Sequence, residues 1–183
     1  VEVNDVNKEK TGLIIIDAQE NLMSVMRQKK EVIQNIVKLL HLARIYHLPV
    51  LMTEQYPKML GPTVDEIRSH VPDFDPVEKL EFDFCRVEPF MKRLEALTLY
   101  NLIVTGVEAH VCVLQSCLCL VKKGYHVYVP RDCIDSRTYE NKQTALELMK
   151  DEGVTVTSAE VIIFQMLKQA GTPEFKEMLK VIK

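Results

Sequence analysis

Hydrophobic positions along the chain follow two alternating rhythms. Short strand-like runs, most of them continuously apolar, cover 12–17, 49–54, 78–82, 100–106, 125–130 and 154–157. Runs of this kind fit strands covered on both faces of a sheet. Between them, apolar residues recur at helical spacing. Segment 31–46 places Val32, Ile33, Ile36, Val37, Leu40 and Ala43 on one stripe. Segments 88–96, 110–123 and 139–152 also read as helices. The third of these four, 110–123, is apolar almost all round, so burial on most sides, in part against another subunit, is expected. Gly153 suits the residue just past a helix end. Thr157 with Glu160 reads as a capping box, and Thr172 followed by Pro173 as an N-cap with proline at the first helical position.

This β-α-β-α alternation predicts a single α/β domain over 1–183. It has three layers, Rossmann-like: about six mostly parallel strands in the order 3-2-1-4-5-6, with helices on both faces. Residues 1–9 are expected to be a flexible or edge segment. The least regular stretch, 55–77, holds Pro57, Pro62, Pro72 and Pro76 and is expected to border the site.

Composition narrows the function classes. With 183 residues, 47% apolar and 27% charged, the chain is neither collagenous nor disordered. A net charge of −3 offers no field to gather nucleic acid. No apolar run approaches the ~20 residues of a membrane span, and residues 1–10 lack the apolar core of a signal peptide. The five cysteines are an odd number in a chain that needs no staples. Free thiols and a cytoplasmic, reducing location are therefore expected.

Open α/β sheets bind ligands beyond the carboxyl ends of their strands, where the strand order reverses. Asp17 ends the first strand, Cys112 follows the fourth, and Lys79 lies in the third. An acid, an amine and a thiol make a coherent set. A lysine and a helix N-terminus both favour the thiolate, and a carboxylate can accept the thiol proton and return it to a leaving group. The bland alternatives are a capping aspartate, a solvated lysine and a core cysteine. Cys112, Cys117 and Cys119 lack zinc-ligand spacing, and the last two read as core. Cys85 and Cys133 read as loop or edge residues. His110 does not face Cys112 on a helix and reads as a surface or subunit-contact residue.

The stretches GLIIIDAQ (12–19) and VTGVEAHVCVLQ (104–115) resemble the two signatures of the isochorismatase-like cysteine hydrolase family. Glu78, Lys79 and Phe82 resemble its lysine segment, and DCIDSR (132–137) its loop after the fifth strand. TEQYP (53–57), LGPT (60–63) and PEFKE (173–177) are similar to the isochorismatase domain-containing subgroup. The resemblance implies an Asp17–Lys79–Cys112 catalytic triad. It also implies a homo-oligomer and a cis Val107–Glu108 bond, with the backbone N–H groups of Glu108 and Cys112 as oxyanion hole. Nicotinamidases of the family carry an Asp-x-His metal motif. Here Glu54, Gln55 and Tyr56 stand there, so the resemblance implies neither a metal nor another cofactor. The cysteine points to acyl transfer rather than vinyl-ether cleavage.

The expected function is cysteine-dependent hydrolysis of a small amide or related acyl compound. Gln19, Gln55, Tyr56 and Phe84 are candidates to line the pocket. Asp132 and Arg137 are expected to brace the loop. The rivals are a non-catalytic binding or regulatory protein on the same fold, and an RNA-processing protein.

Overall fold

The four apolar residues Leu13 to Ile16 are the reason a central strand forms where it does. Strand β1 (Thr11–Ile16) is buried throughout. Its side chains alternate between faces: Leu13 and Ile15 join one apolar cluster, Ile14 and Ile16 the other. Each fully buried Leu or Ile contributes about 1.5–3 kcal/mol relative to exposure, so this run anchors both layers. The computed structural model describes residues 8–182. Most of the segment 1–9 therefore lies outside the described residues, and Lys8–Lys10 form a short 3-10 turn.

In chain order the elements are β1, α1 (Glu20–Ser24), α2 (Lys29–Tyr46), β2 (Val50–Gln55), α3 (Pro57–Leu60), α4 (Asp65–Arg68), β3 (Val77–Lys79) and a 3-10 turn (Phe84–Arg86). They continue with α5 (Glu88–Ala96), β4 (Asn101–Val107), a π-turn (Ala109–Val113), α6 (Leu114–Lys122), β5 (His126–Pro130) and β6 (Ile134–Asp135). The last are α7 (Tyr139–Asp151), β7 (Thr155–Thr157), α8 (Ala159–Leu167) and α9 (Pro173–Ile182).

The strands form one parallel sheet in the order β3-β2-β1-β4-β5-β7, with β6 paired to the tip of β4. This is the expected order, with β7 as the sixth strand and β6 as an addition. One face is covered by α2, α8 and α9, the other by α5, α6 and α7. Gly106, at φ +110°, stands level with Ile16 across β1 and β4; any side chain there would collide with the Ile16 backbone. No helix among the described residues is long and apolar enough to cross a membrane.

Several local expectations are corrected. The third strand ends at Lys79, not at residue 82. Leu80 and Phe82 mimic a strand's alternation, but both project outward and are exposed. Segment 55–77 is less irregular than its prolines suggest, since it folds into the single turns α3 and α4. Its anchor is Glu54, whose buried Oε1 accepts from the backbone N–H and the hydroxyl of Thr63, both at 2.7 Å. The N-cap of α8 is Ser158, one residue past Thr157, and its hydroxyl accepts from Val161 N–H, so the Thr157–Glu160 box does not form. Thr172 does cap the last helix, accepting from Phe175 N–H at 3.1 Å.

Candidate active site

Three strand ends converge on one buried cluster. Asp17 follows β1 directly, at φ 49° and fully buried. Its backbone N–H donates to Thr53 O, extending the β1–β2 ladder by one rung. Register then sets Thr53 beside it, and the Thr53 hydroxyl donates to Asp17 Oδ1 at 2.7 Å. Lys79, the last residue of β3, reaches across from the sheet edge. Its ammonium donates to Asp17 Oδ2 at 2.7 Å, to Gln55 Oε1 at 2.6 Å and to Glu81 O at 3.2 Å. The same nitrogen lies 3.6 Å from Cys112 Sγ. The Lys79 and Asp17 side chains expose none of their surface. Two ions held so far from water need this full set of partners.

Cys112 sits in the π-turn rather than in the first turn of an ordinary α-helix. Glu108 O accepts from both Val111 N–H and Val113 N–H, which marks the widened turn. The preceding Val107–Glu108 peptide bond is cis. The Glu108 carboxylate accepts from Arg137 N–H at 3.1 Å and from its guanidinium Nε at 3.0 Å, tying the β6–α7 loop to the turn. Asp132 braces the preceding β5–β6 connection, accepting from Ala159 N–H at 2.9 Å and from the Asn35 amide. Both loop-bracing roles expected of Asp132 and Arg137 are therefore present.

Electrostatics revises one expectation. Lys79 does favour the Cys112 thiolate, but burial opposes it more strongly and the Asp17 charge adds to the opposition. The thiol is pushed up to about 12. At rest Cys112 is therefore a neutral thiol and not a standing thiolate.

The four candidate pocket residues separate. Gln55 turns its amide inward, between Lys79 Nζ and Leu80 O. Gln19 is fully buried and acts as a clamp: its Oε1 accepts from Gln55 N–H, and its Nε2 donates to Gln55 O and Gly61 O. Phe84 is also fully buried, its ring centroid 4.3 Å from that of Phe90. Neither Gln19 nor Phe84 presents surface to a ligand, which corrects their reading as lining. Tyr56 is exposed and borders a cleft of 380 Å³ together with Pro57, Lys58, Leu80 and Glu81. Lys79 is among that cleft's walls, whereas Asp17 and Cys112 are not.

His110 is turned to Ser136 Oγ at 3.0 Å, so no Cys-His dyad forms. Cys133 lies in the bend between β5 and β6, a loop position as expected, with its side chain fully buried in the core. The residue that sequence reasoning passed over is Thr53. Its signal was present, because neighbouring strands in the expected order put residue 53 level with the end of β1.

A profile of the Isochorismatase domain matches residues 11–161. The chain belongs to the isochorismatase family. Among the family's proteins it is 36% identical over 177 residues to the "Secreted isochorismatase effector Isc1" of Phytophthora sojae, covering 93% of this chain and 83% of that one. It is 33% identical to "Isochorismatase domain-containing protein 2" of Rattus norvegicus, covering 96% and 82% respectively. The isochorismatase-like fold also superposes on the structure of the "MAR1 Ribonuclease" from Caenorhabditis elegans. There the TM-score is 0.90 at 33% identity, over 97% of this chain and 91% of the other.

Proposed function

We propose that this isochorismatase-family hydrolase is a cysteine-dependent enzyme acting on a small amide or related acyl compound. Asp17, Lys79 and Cys112 form its triad. The carrying observation is that one ammonium, Lys79 Nζ, lies 2.7 Å from Asp17 Oδ2 and 3.6 Å from Cys112 Sγ. When the thiol proton passes to Asp17, negative charge moves from carboxylate to sulfur. Both positions neighbour the same cation, so the charge-separated state keeps its counter-ion in a site shielded from water.

The thiolate attacks the carbonyl carbon and the electron pair moves onto oxygen. Backbone N–H groups of Glu108 and Cys112 meet that oxyanion. Collapse expels the amine or alkoxide, which takes its proton from Asp17 and leaves a thioester on Cys112. Water, deprotonated by Asp17, releases the acid and restores the thiol. The triad itself uses no metal.

The whole chain acts as one domain and as a homo-oligomer, supported by Val161 and Phe164, exposed three residues apart on α8. Its five free thiols support a cytoplasmic, reducing location; secretion belongs to the Phytophthora sojae protein that bears it in its name. A net charge of −3 argues against an RNA substrate.

The test is a screen of amides and esters with wild type beside Cys112→Ala, followed by intact-mass detection of the acyl adduct. Turnover and adduct should both vanish in the variant. Alkylation of Cys112 without turnover of any library member would favour a binding role instead.

A further inference from the structure

A second cluster of reactive side chains lies outside the triad. The 3-10 turn Phe84–Arg86 packs against α6, and this brings Cys85 beside Cys119. The donor atoms of Asp83, Cys85 and Cys119 all lie within 4.8 Å of one another, and all three residues are half-buried. The cluster is held from both sides. Asp83 Oδ1 accepts from Cys85 N–H at 2.9 Å, which fixes the turn. Phe84, fully buried between the two ligand-bearing residues, donates its N–H to Ser116 Oγ on α6 at 3.2 Å. Asp83 Oδ2 lies 3.7 Å from the exposed Arg86 side chain.

From this geometry we propose that Asp83, Cys85 and Cys119 form a binding site for a thiophilic divalent cation of the zinc class. A tetrahedral ion with sulfur at about 2.3 Å and oxygen at about 2.0 Å spaces its donors roughly 3.5–3.8 Å apart. The donors present, within 4.8 Å of one another, lie close to that spacing. Two thiols and one carboxylate suit a soft or borderline metal and do not suit calcium or magnesium. Binding forms two metal–sulfur bonds and one metal–oxygen bond. The two thiol protons go to solvent, and water completes the coordination. No electron is transferred.

The site is separate from the triad but mechanically joined to it. Asp83 stands two residues after Glu81, whose carbonyl accepts from Lys79 Nζ. A cation here fastens to α6 the stretch that orients the lysine.

The probe is cadmium, with zinc in parallel, added to the reduced, metal-free full chain. One equivalent should produce the ultraviolet sulfur-to-metal charge-transfer band and protect Cys85 and Cys119 from alkylation. Cys85→Ser and Cys119→Ser should each abolish the band at stoichiometric metal. Asp83→Asn should weaken binding about tenfold or more, the loss of one ligand. Cys112→Ala should bind as wild type does. Zinc should raise the unfolding temperature of wild type and not of Cys119→Ser. A band that survives Cys119→Ser, that is lost in Cys112→Ala, or that never appears would overturn the assignment.

Discussion

Thr53 donates its hydroxyl proton to Asp17 Oδ1 across 2.7 Å, on the side of the carboxylate opposite Lys79. The acid is thus held in one orientation, with its remaining capacity turned to the thiol. Thr53→Val keeps the shape and removes the donor. A hydrogen bond to a charged group contributes about 1.5–3 kcal/mol. Denaturant unfolding should show a loss of that size, and kcat should fall while KM changes little. Unchanged kcat would mean that Asp17 needs no such positioning.

The Lys79–Asp17 pair predicts a non-additive pair of variants. Removing one partner of a buried ion pair costs about 3–5 kcal/mol, because the other is left uncompensated. Lys79→Met alone should lose stability on this scale. Asp17→Asn combined with Lys79→Met should recover part of the loss, as read from urea midpoints. A double variant as unstable as the sum of the singles would show that the two charges are not coupled.

Burial of Cys112 predicts a pH signature. Folding raises this thiol from an ordinary 9.0 to about 12. The native chain therefore holds the proton more firmly than the unfolded chain does. The stability this lends is complete below about pH 9 and is lost as the pH climbs towards about 12. Wild type should lose more stability over that window than Cys112→Ala does. Alkylation of Cys112 should also climb with pH well past neutrality. A plateau already reached below pH 8 would reveal a standing thiolate and remove Asp17 as the base.

Phe84 and Tyr56 should behave in opposite ways, although both were candidates for the pocket. Phe84→Ala empties a fully buried site and should cost about 3–5 kcal/mol. Tyr56→Ala removes an exposed ring; stability should stay within about 0.5 kcal/mol, with KM for any substrate found raised. A Phe84 variant with normal stability and an altered KM would restore that residue to the pocket.

Self-association should be visible by light scattering. The expected species is a multiple of 21.1 kDa at micromolar concentration. A monomer alone would remove the homo-oligomer from the proposal.

Most of the sheet was legible because buried parallel strands write themselves as unbroken apolar runs, and β1 does so over four residues. The cluster of Asp17, Lys79 and Cys112 was legible in two steps: strand order brings the ends of β1 and β4 to one crevice, and the family resemblance added Lys79, which reaches in from two strands away. Elements of five residues or fewer left no rhythm to read, which is why α1, α3, α4 and β6 were missed. Leu80 and Phe82 were misread because exposed apolar residues can imitate a strand. Phe84 was taken for lining because an aromatic near a site looks the same in sequence whether it faces ligand or core. The π-winding at Cys112 carries no sequence period of its own. The meeting of Cys85 with Cys119 depends on how one turn docks on α6, which spacing along the chain does not encode.

The contact between Gly106 and the Ile16 backbone has a consequence for anyone retargeting this scaffold. Asp17 leaves β1 one residue after that contact, and the turn bearing Cys112 leaves β4 shortly beyond it. The distance between acid and thiol is thus gauged by two main chains pressed together, with no side chain as spacer. Segments 56–63 and 80–83 lie outside that gauge, but each is tied to the site through Gly61 O, Thr63 and Glu81 O, so a redesign must keep those contacts. Replacing Gly106 by even alanine would spread the strands and detune every such variant at once.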